Sequence, residues 1–188
     1  MSATVLEYIV AGGLEVCDQV YERCVMNHSA KTTIIGVISD THGLLRPEAV
    51  EALCGSDCIL HAGDVGAAKI LEGLAEIAPV TAIRGNVDTA QWAHSLPATE
   101  AVDVGGVSIY MLHDLGQLDL NPRAAGFHVV IYGHSHKPKI EEKNGVLYFN
   151  PGSAGPRRFG LPVSLGKLII EAGRVRAELI QLHPANPE

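Results

Sequence analysis

The chain contains five short apolar segments, and each of them runs directly into aspartate, asparagine or histidine. In an open α/β sheet, functional groups gather beyond the carboxyl ends of the strands, so we expect these five endings to meet at one edge. Turn chemistry explains aspartate, asparagine and glycine after a strand, but it does not explain histidine at four of the same five places. The endings are Asp40-Thr41-His42-Gly43, His61-Ala62-Gly63-Asp64, Arg84-Gly85-Asn86-Val87-Asp88, His113-Asp114 and Gly133-His134-Ser135-His136.

The first half of the chain predicts alternating strands and helices. Residues 32–39, 58–60 and 79–84 are apolar runs of strand length, and helices are predicted over 47–54 and 67–77. This alternation is typical of βαβ units, which place their strands in a partly parallel sheet.

The second half predicts hairpins instead. An apolar strand is predicted over 129–132, and three further pairs of strands flank turn signals in which glycine or Asn-Gly reverses the chain. We therefore predict an α/β fold of two packed mixed sheets with helices outside. The paired strands are 101–104 and 107–112 around Gly105-Gly106, 139–142 and 146–149 around Lys143-Asn144-Gly145, and 165–170 and 175–182 around Ala172-Gly173.

The composition narrows the class of protein. With 188 residues, 47% of them hydrophobic and 19% charged, the chain suits one globular domain. No apolar run reaches the roughly 18–20 residues of a membrane helix, so no membrane is expected among the partners. The net charge of −7 argues against a stable complex with nucleic acid, which needs a basic surface. The four cysteines form no Cys-x-x-Cys pair, so we expect reduced thiols in a cytoplasmic protein.

The N-terminal residues 1–31 stand apart from this pattern. Apolar residues near a 3.6-residue spacing predict an amphipathic helix over 4–25, interrupted by Gly12-Gly13. This helix is a candidate for docking on its own domain or for joining two subunits of a homo-oligomer. Met26 offers a second start site, in which case the segment is not part of the mature protein. We divide the chain into this extension at 1–31 and a domain at 32–188.

The polar endings together supply a complete ligand set for two metal ions. Two ions with about four protein ligands each need seven groups when one carboxylate bridges them. Imidazole and carboxylate ligands without thiolate favour Mn²⁺, Fe²⁺, Ni²⁺ or Zn²⁺ over Ca²⁺ or Mg²⁺. Such a site keeps a net positive charge, which attracts an anion such as a phosphate ester. The seven candidates are Asp40, His42, Asp64, Asn86, His113, His134 and His136.

As an ordered set, these motifs resemble the calcineurin-like metallophosphoesterase superfamily, and most closely its small YfcE-like phosphodiesterases. Asn150-Pro151-Gly152-Ser153, followed by Pro156-Arg157, is similar to the same group, and the resemblance covers about residues 32–180. The resemblance implies a four-layer α/β/β/α sandwich. It also implies hydrolysis of small phosphate esters, in which a hydroxide bridging the two metals attacks phosphorus in line.

The resemblance further implies roles for individual residues. One ion, expected to be Mn²⁺, would be held by Asp40, His42, Asp64 and His136. The other would be held by Asp64, Asn86, His113 and His134, with Asp64 as the bridge. Asp64, Asn86 and His113 are thereby the predicted catalytic residues. Asn86 and Arg157 are the predicted substrate-binding residues, because a guanidinium suits a phosphate.

The chain departs from the family pattern after the Gly-Asn pair. Many larger relatives have a histidine there that protonates the leaving group, whereas this chain has Val87. We therefore expect slow turnover or a preference for good leaving groups, unless His61 or water supplies the proton. Asp88 is interpreted either as the cap of a following helix or as a support of the site. Asp114 is interpreted either as an orienting partner of a ligand or as a solvated turn residue.

Two other functions fit the same fold. A retromer subunit has this fold with altered metal ligands and acts as a scaffold, so a binding protein is the main alternative. A phosphomonoesterase or a nuclease on the same site is a third interpretation. The completeness of the seven ligands favours the phosphodiesterase.

Overall fold

The computed structural model describes residues 32–183, and the helix predicted over residues 4–25 lies outside this range. The described part contains two α-helices, ten strands and two short 3₁₀ helices at Gln91–Ser95 and Leu115–Gln117. In chain order the main elements are β1 (Thr33–Ile38), α1 (Pro47–Leu53), β2 (Cys58–His61), α2 (Ala68–Ala75), β3 (Val80–Ala82), β4 (Thr99–Val104), β5 (Val107–Leu112), β6 (Val129–Ile131), β7 (Lys139–Lys143), β8 (Val146–Asn150), β9 (Ser164–Glu171) and β10 (Arg174–Gln181).

The first sheet has the strand order β10-β9-β1-β2-β3. Its strands β1, β2 and β3 are parallel, as the alternation of strands and helices predicts, and β9 and β10 are antiparallel to their neighbours. Ile38 is paired with His61, and His61 with Ala82. The three parallel strands therefore end at the same level, and the polar residues that follow them begin side by side.

The second sheet has the order β4-β5-β6-β8-β7 and is also mixed. Two antiparallel hairpins, β4-β5 and β7-β8, are joined through the parallel strands β5, β6 and β8. Met111 is paired with Ile131, and Ile131 with Phe149, so these strands also end together. The predicted α/β class with two mixed sheets is confirmed.

Three hydrophobic clusters lie between the layers. Ile35 and Val37 of β1 lie in the core between the sheets, whereas Ile38 packs with Leu53 and Leu74 of the two helices. This division follows from the alternation of side chains along a strand. Both α-helices of residues 32–183 cover the first sheet, and the outer face of the second sheet is covered by the 3₁₀ segment with Leu115 and Leu118. Within the described range, the outer face of the second sheet thus carries a 3₁₀ segment of three residues and no α-helix.

The predicted hairpin turns are confirmed by their backbone geometry. Gly105 and Gly106 both have positive φ, and so do Asn144 and Gly145. Two consecutive left-handed residues match the right-handed twist of the flanking strands, which is why glycine and asparagine occupy these turns. No helix within residues 32–183 is long and apolar enough to cross a bilayer.

Candidate metal centre

Backbone hydrogen bonds continue past the strand ends and hold the polar segments together. The amide of Asp40 donates to the Gly63 carbonyl at 3.0 Å, and that of His42 donates to the Asp64 carbonyl at 2.9 Å. In the second sheet, the amide of Gly133 donates to the carbonyl of His113 at 2.9 Å. Backbone bonds therefore fix the Asp40–His42 segment against the Asp64 segment in the first sheet, and the His113 segment against the segment of His134 and His136 in the second.

The structure brings all seven predicted ligand residues into one continuous cluster. Asp64 lies between two histidines, and the closest approaches follow one another around the cluster. On one side, Asp40 Oδ1 lies 3.2 Å from His136 Nε2, which lies 3.2 Å from His42 Nε2. Asp64 Oδ2 lies 3.9 Å from His42 Nε2 and 3.3 Å from His113 Nε2. On the other side, the ring centroids of His113 and His134 are 5.3 Å apart, and His134 Nδ1 lies 3.0 Å from Asn86 Oδ1.

Two overlapping groups of ligand atoms emerge from these distances. Asp40, His42 and His136 form one group, Asp40, Asp64 and His113 form the other, and within each group the ligand atoms lie within 4.8 Å of one another. Ligands at about 2.0–2.2 Å from one ion are separated by roughly 3–3.5 Å, so these spacings fit metal coordination. Asp40 belongs to both groups. Asp64 belongs to the second group, and its Oδ2 also lies 3.9 Å from His42 Nε2 of the first group.

The backbone at the cluster is strained. Among residues 32–183, eight non-glycine residues have positive φ, and five of them are predicted ligands. Left-handed backbone costs a residue with a Cβ of the order of 1–3 kcal/mol, and it is retained where function requires a particular direction of the side chain. The five are Asp40, His42, Asp64, His134 and His136, with φ between 46° and 64°.

The ligand atoms that face the centre have unmet bonding capacity. Asp40 Oδ1 and His113 Nε2 are buried, and neither has a hydrogen-bond partner among the described residues. A buried polar atom without a partner is costly, so its retention needs a compensating interaction. Their separation of 4.0 Å, with the His113–Asp64 approach beside it, suits a divalent cation between them. The residues therefore fit the metal ions that the sequence predicts.

Neighbouring groups decide which ligand atom faces the centre. The Ser39 hydroxyl donates to Asp40 Oδ2 at 2.7 Å, which leaves Oδ1 directed inward. His113 Nδ1 lies 2.7 Å from the Ala62 carbonyl, which fixes the proton on Nδ1 and leaves Nε2 with its lone pair. Such partners orient ligands and raise their basicity.

The surroundings of Asp64 favour its ionised form. Burial raises the pKa of Asp64, but the close approach of the His113 imidazole and the hydrogen bond from the Val87 amide outweigh it and hold the pKa below its ordinary value. Burial lowers the pKa of His113, yet Asp64 and the Ala62 carbonyl raise it above its ordinary value. For His42, burial dominates and lowers the pKa. An anionic carboxylate among imidazoles is a suitable environment for a cation.

Asp88 supports the site and does not cap a helix. Its carboxylate accepts hydrogen bonds from the amides of Val65, Gly85 and Gly66 at 3.0, 2.8 and 2.8 Å. These bonds tie the segment after β2 to the segment after β3, and they thereby hold Asp64 beside Asn86. The next helical segment, Gln91–Ser95, begins after Ala90 and has no side-chain cap.

Asn150 is a positioning residue to which the sequence assigned no role. It ends β8, and its amide nitrogen donates to the Gly133 carbonyl at 2.8 Å and to the Ser135 hydroxyl at 3.1 Å. Its side-chain oxygen accepts from the amide of Gly152 at 2.9 Å. Asn150 thus fixes the segment that carries His134 and His136. Its place at the end of a parallel strand was the available signal.

His61 is buried in the protein and does not face the centre as a proton donor. Its Nδ1 accepts from the Gly63 amide at 3.2 Å, and its Nε2 lies 2.9 Å from the Thr41 hydroxyl, which itself donates to the Val65 carbonyl. This arrangement requires neutral imidazole, and burial lowers the pKa of His61 to about 4. The alternative that His61 protonates a leaving group is therefore not supported.

We expect His61 to make the fold sensitive to acid. The unfolded chain binds a proton near pH 6.5 and the folded protein only near pH 4, so stability falls as the pH drops through this window. Between pH 7 and pH 5, wild type should lose about 2 kcal/mol more unfolding free energy than His61→Gln. Urea unfolding in the presence of a chelator measures this difference. Equal losses in both proteins would contradict the assignment.

Three further positions singled out in the sequence are Arg157, Val87 and Asp114. Arg157 is exposed, and the adjacent Arg158 lies near enough for its charge to lower the pKa of His42 further, after the larger effect of burial. Val87 is 45% exposed, and its amide donates to Asp64 Oδ1 at 3.0 Å. Asp114 accepts from the Gly116 amide at 2.9 Å, which agrees with the turn-residue interpretation.

The chain was compared with family models, with related sequences and with solved structures. The model of the calcineurin-like phosphoesterase superfamily domain matches residues 34–173. The chain belongs to this superfamily. The resemblance seen in the sequence motifs is thereby confirmed at the level of the family.

Individual members of the calcineurin-like phosphoesterase superfamily are similar over most of the chain. A probable metallophosphoesterase of Methanocaldococcus jannaschii is 35% identical over 164 residues, which cover 80% of this chain and 82% of the relative. Phosphodiesterase YfcE of Escherichia coli K12 is 29% identical, covering 69% and 84%. The structure of vacuolar protein sorting 29 from Cryptosporidium parvum matches with a TM-score of 0.66 at 21% identity, covering 80% and 98%, which shows the shared fold.

Proposed function

We propose that this chain is a dinuclear metal-dependent phosphodiesterase that hydrolyses small phosphate esters by in-line attack of hydroxide. The observation that carries the proposal is the pair of overlapping ligand groups, which meet at Asp40 and are connected by Asp64. The relatives named metallophosphoesterase and phosphodiesterase support the same reaction class.

In the proposed centre, each ion has a defined set of side chains. Asp40, His42, Asp64 and His136 would hold one ion. Asp64, Asn86, His113 and His134 would hold the other, with Asp64 as the bridge. Mn²⁺ is the proposed metal, and Ni²⁺, Fe²⁺ or Zn²⁺ suit the same nitrogen and oxygen ligands. When bound, two such ions supply Lewis acidity toward the phosphoryl oxygens and a hydroxide nucleophile at neutral pH.

The chain's own residues orient the reactants in this proposal. Asn86 and His134 are the exposed members of the cluster, so the substrate phosphate approaches from their side. Arg158, through its charge near His42, joins Arg157 as a cation that attracts the phosphate. Val87 offers no proton to the leaving group, so the proposed enzyme prefers esters whose leaving group is already a weak base.

The proposal includes the setting of the enzyme. We assign catalysis to the domain at 32–188 and treat residues 1–31 as an extension, through which a homo-oligomer is one arrangement. We place the protein in the cytoplasm, in agreement with the free thiols of Cys54 and Cys58. Neither a membrane nor a stable nucleic-acid complex is part of the proposal.

Hydrolysis of a chromogenic diester tests the proposed function. With added Mn²⁺ the protein should hydrolyse bis-p-nitrophenyl phosphate, a chelator should abolish the reaction, and renewed Mn²⁺ should restore it. The monoester p-nitrophenyl phosphate should react at least about tenfold more slowly, since one arm of the diester is missing. Metal analysis of the same sample should find two ions per chain.

Two outcomes would favour the other candidates. A protein that holds both ions but hydrolyses no phosphoester in a broad screen would be a scaffold. A faster reaction with the monoester would make the chain a phosphomonoesterase.

A further inference from the structure

A cavity of about 340 Å³ opens directly beside the candidate metal centre. It shares Asn86, His113 and His134 with the centre, so anything that fills it lies next to the proposed reacting phosphate. Pockets that hold small ligands have about 300–1,000 Å³, which makes this one large enough for a single small group. Its position suits one ester arm of a bound diester.

The other walls of the cavity are mainly polar. Two carboxylates are present against one guanidinium, and Arg84 already uses Nη1 to donate to the Leu96 carbonyl at 2.7 Å. Asp114 accepts from Gly116, whereas Asp119 is exposed at the cavity wall. The polar walls are formed by Arg84, Thr99, Tyr110, Asp114, Gln117 and Asp119, and Ala98 and Leu112 add apolar surface.

The chemistry of these walls selects among ester arms. Ionised carboxylates accept hydrogen bonds and cannot donate them, so they bind an arm that carries hydroxyl or ammonium donors. The same carboxylates repel an arm with a carboxylate or a second phosphate, and such repulsion is an effective source of specificity. Tyr110 adds an aromatic ring in a half-buried position.

We infer that this cavity binds one ester arm of the substrate, and that it selects an arm bearing hydroxyl or ammonium groups over an anionic arm. The inference rests on the proposed phosphodiesterase function and specifies its substrate class. Asp119 is the specificity-determining residue in this arrangement.

The test uses mixed diesters that all release p-nitrophenol and differ only in the second arm. The arms are 2-aminoethyl, 2,3-dihydroxypropyl, ethyl and 2-carboxyethyl, so the leaving group is constant. With the Mn²⁺-loaded wild type, kcat/KM should be highest for the aminoethyl and dihydroxypropyl arms and lowest for the carboxyethyl arm. Asp119→Lys should lower the ratio of aminoethyl to carboxyethyl kcat/KM at least about tenfold.

Asp103→Lys is the matched control. Asp103 is also an exposed aspartate, but it lies on β4 near the hairpin turn, at the opposite end of the sheet from His113. The same change of net charge there should alter the ratio less than about twofold, because distant exposed charges are screened. Saturation-transfer NMR on chelator-treated protein gives a second readout. Signals from the aminoethyl arm should appear with wild type and Asp103→Lys and disappear with Asp119→Lys.

The outcomes separate this inference from the proposed function. Equal rates for all four arms, or equal effects of the two lysine substitutions, would overturn the inference while the diesters are still hydrolysed. Hydrolysis of none of the diesters by the metal-loaded wild type would overturn the proposed function instead, and the NMR comparison would still test the cavity.

Discussion

Replacement of Asp64 by alanine is expected to remove metal binding and diester hydrolysis together. Asp64 Oδ2 lies 3.3 Å from His113 Nε2 and 3.9 Å from His42 Nε2, so the carboxylate is shared by both sides of the cluster. Without it, the site would lose one of the two carboxylates, Asp40 and Asp64, whose negative charge offsets the repulsion between two cations. We expect Mn²⁺ affinity and kcat/KM each to fall at least about a hundredfold, as titration calorimetry and the diester assay would measure.

Two further variants make this result interpretable. Asp64→Asn keeps an oxygen that accepts from the Val87 amide and tolerates the left-handed backbone, but it removes the charge. It should therefore fold like wild type in chelator and still lose most of the affinity. Asp103→Ala removes an exposed carboxylate far from the site and should change neither quantity. Wild-type metal affinity in Asp64→Ala would rule out the proposed bridge.

Replacement of Gly85 by alanine is expected to damage the site through a steric clash alone. A Cβ at Gly85 would lie 2.1 Å from Asp64 Oδ1 and 2.3 Å from the Asp64 backbone nitrogen. Neither side yields easily, because the Gly85 amide is bound to Asp88 and the Asp64 carbonyl to His42. We expect a loss of about 1–3 kcal/mol in unfolding free energy. We also expect kcat/KM to fall at least about a hundredfold, because a displacement of about 1 Å misplaces the ligands.

Gly106→Ala supplies the comparison for this prediction. Gly106 lies in the β4-β5 turn with a φ of +79°, and a Cβ there would meet no atom within 4 Å. Its substitution should cost about 1–2 kcal/mol through backbone strain and leave the diester reaction unchanged. If Gly85→Ala hydrolysed the diester as fast as Gly106→Ala, the close packing of Gly85 against Asp64 would not be needed for activity.

The sequence predicted the strands and the hairpin turns well because both depend on local patterns. Buried strands are short apolar runs, and hairpin turns need residues that tolerate positive φ, so both kinds of element can be recognised within a few residues. Two predicted helices are shorter at their ends than the periodicity indicated, since α1 ends at Leu53 and α2 at Ala75. Apolar side chains continue beyond the last helical turn, and periodicity alone does not locate a helix end.

The hydrogen-bond partners of the supporting residues Asp88 and Asn150 were much less predictable. Asp88 binds amides 22 and 23 residues away, and Asn150 binds a segment 15–17 residues away. A local interpretation of Asp88 suggested a helix cap, because a carboxylate after a strand and before a helical segment is consistent with both roles. The structure decides between these roles, because the amides that donate to Asp88 belong to Val65, Gly66 and Gly85 and not to a helix.

The sequence by itself determined which side chains follow the strands: five apolar runs on two sets of strands each end in aspartate, asparagine or histidine, which are the candidate metal ligands. Only the tertiary structure decided how these ligands are aimed and what surrounds them. The left-handed backbone of Asp40 and His136, the amides gathered by Asp88 and the cavity beside His134 each arise where distant segments pack together. Residue type sets what a side chain is able to bind, whereas its direction and its neighbours depend on contacts between segments far apart in the chain.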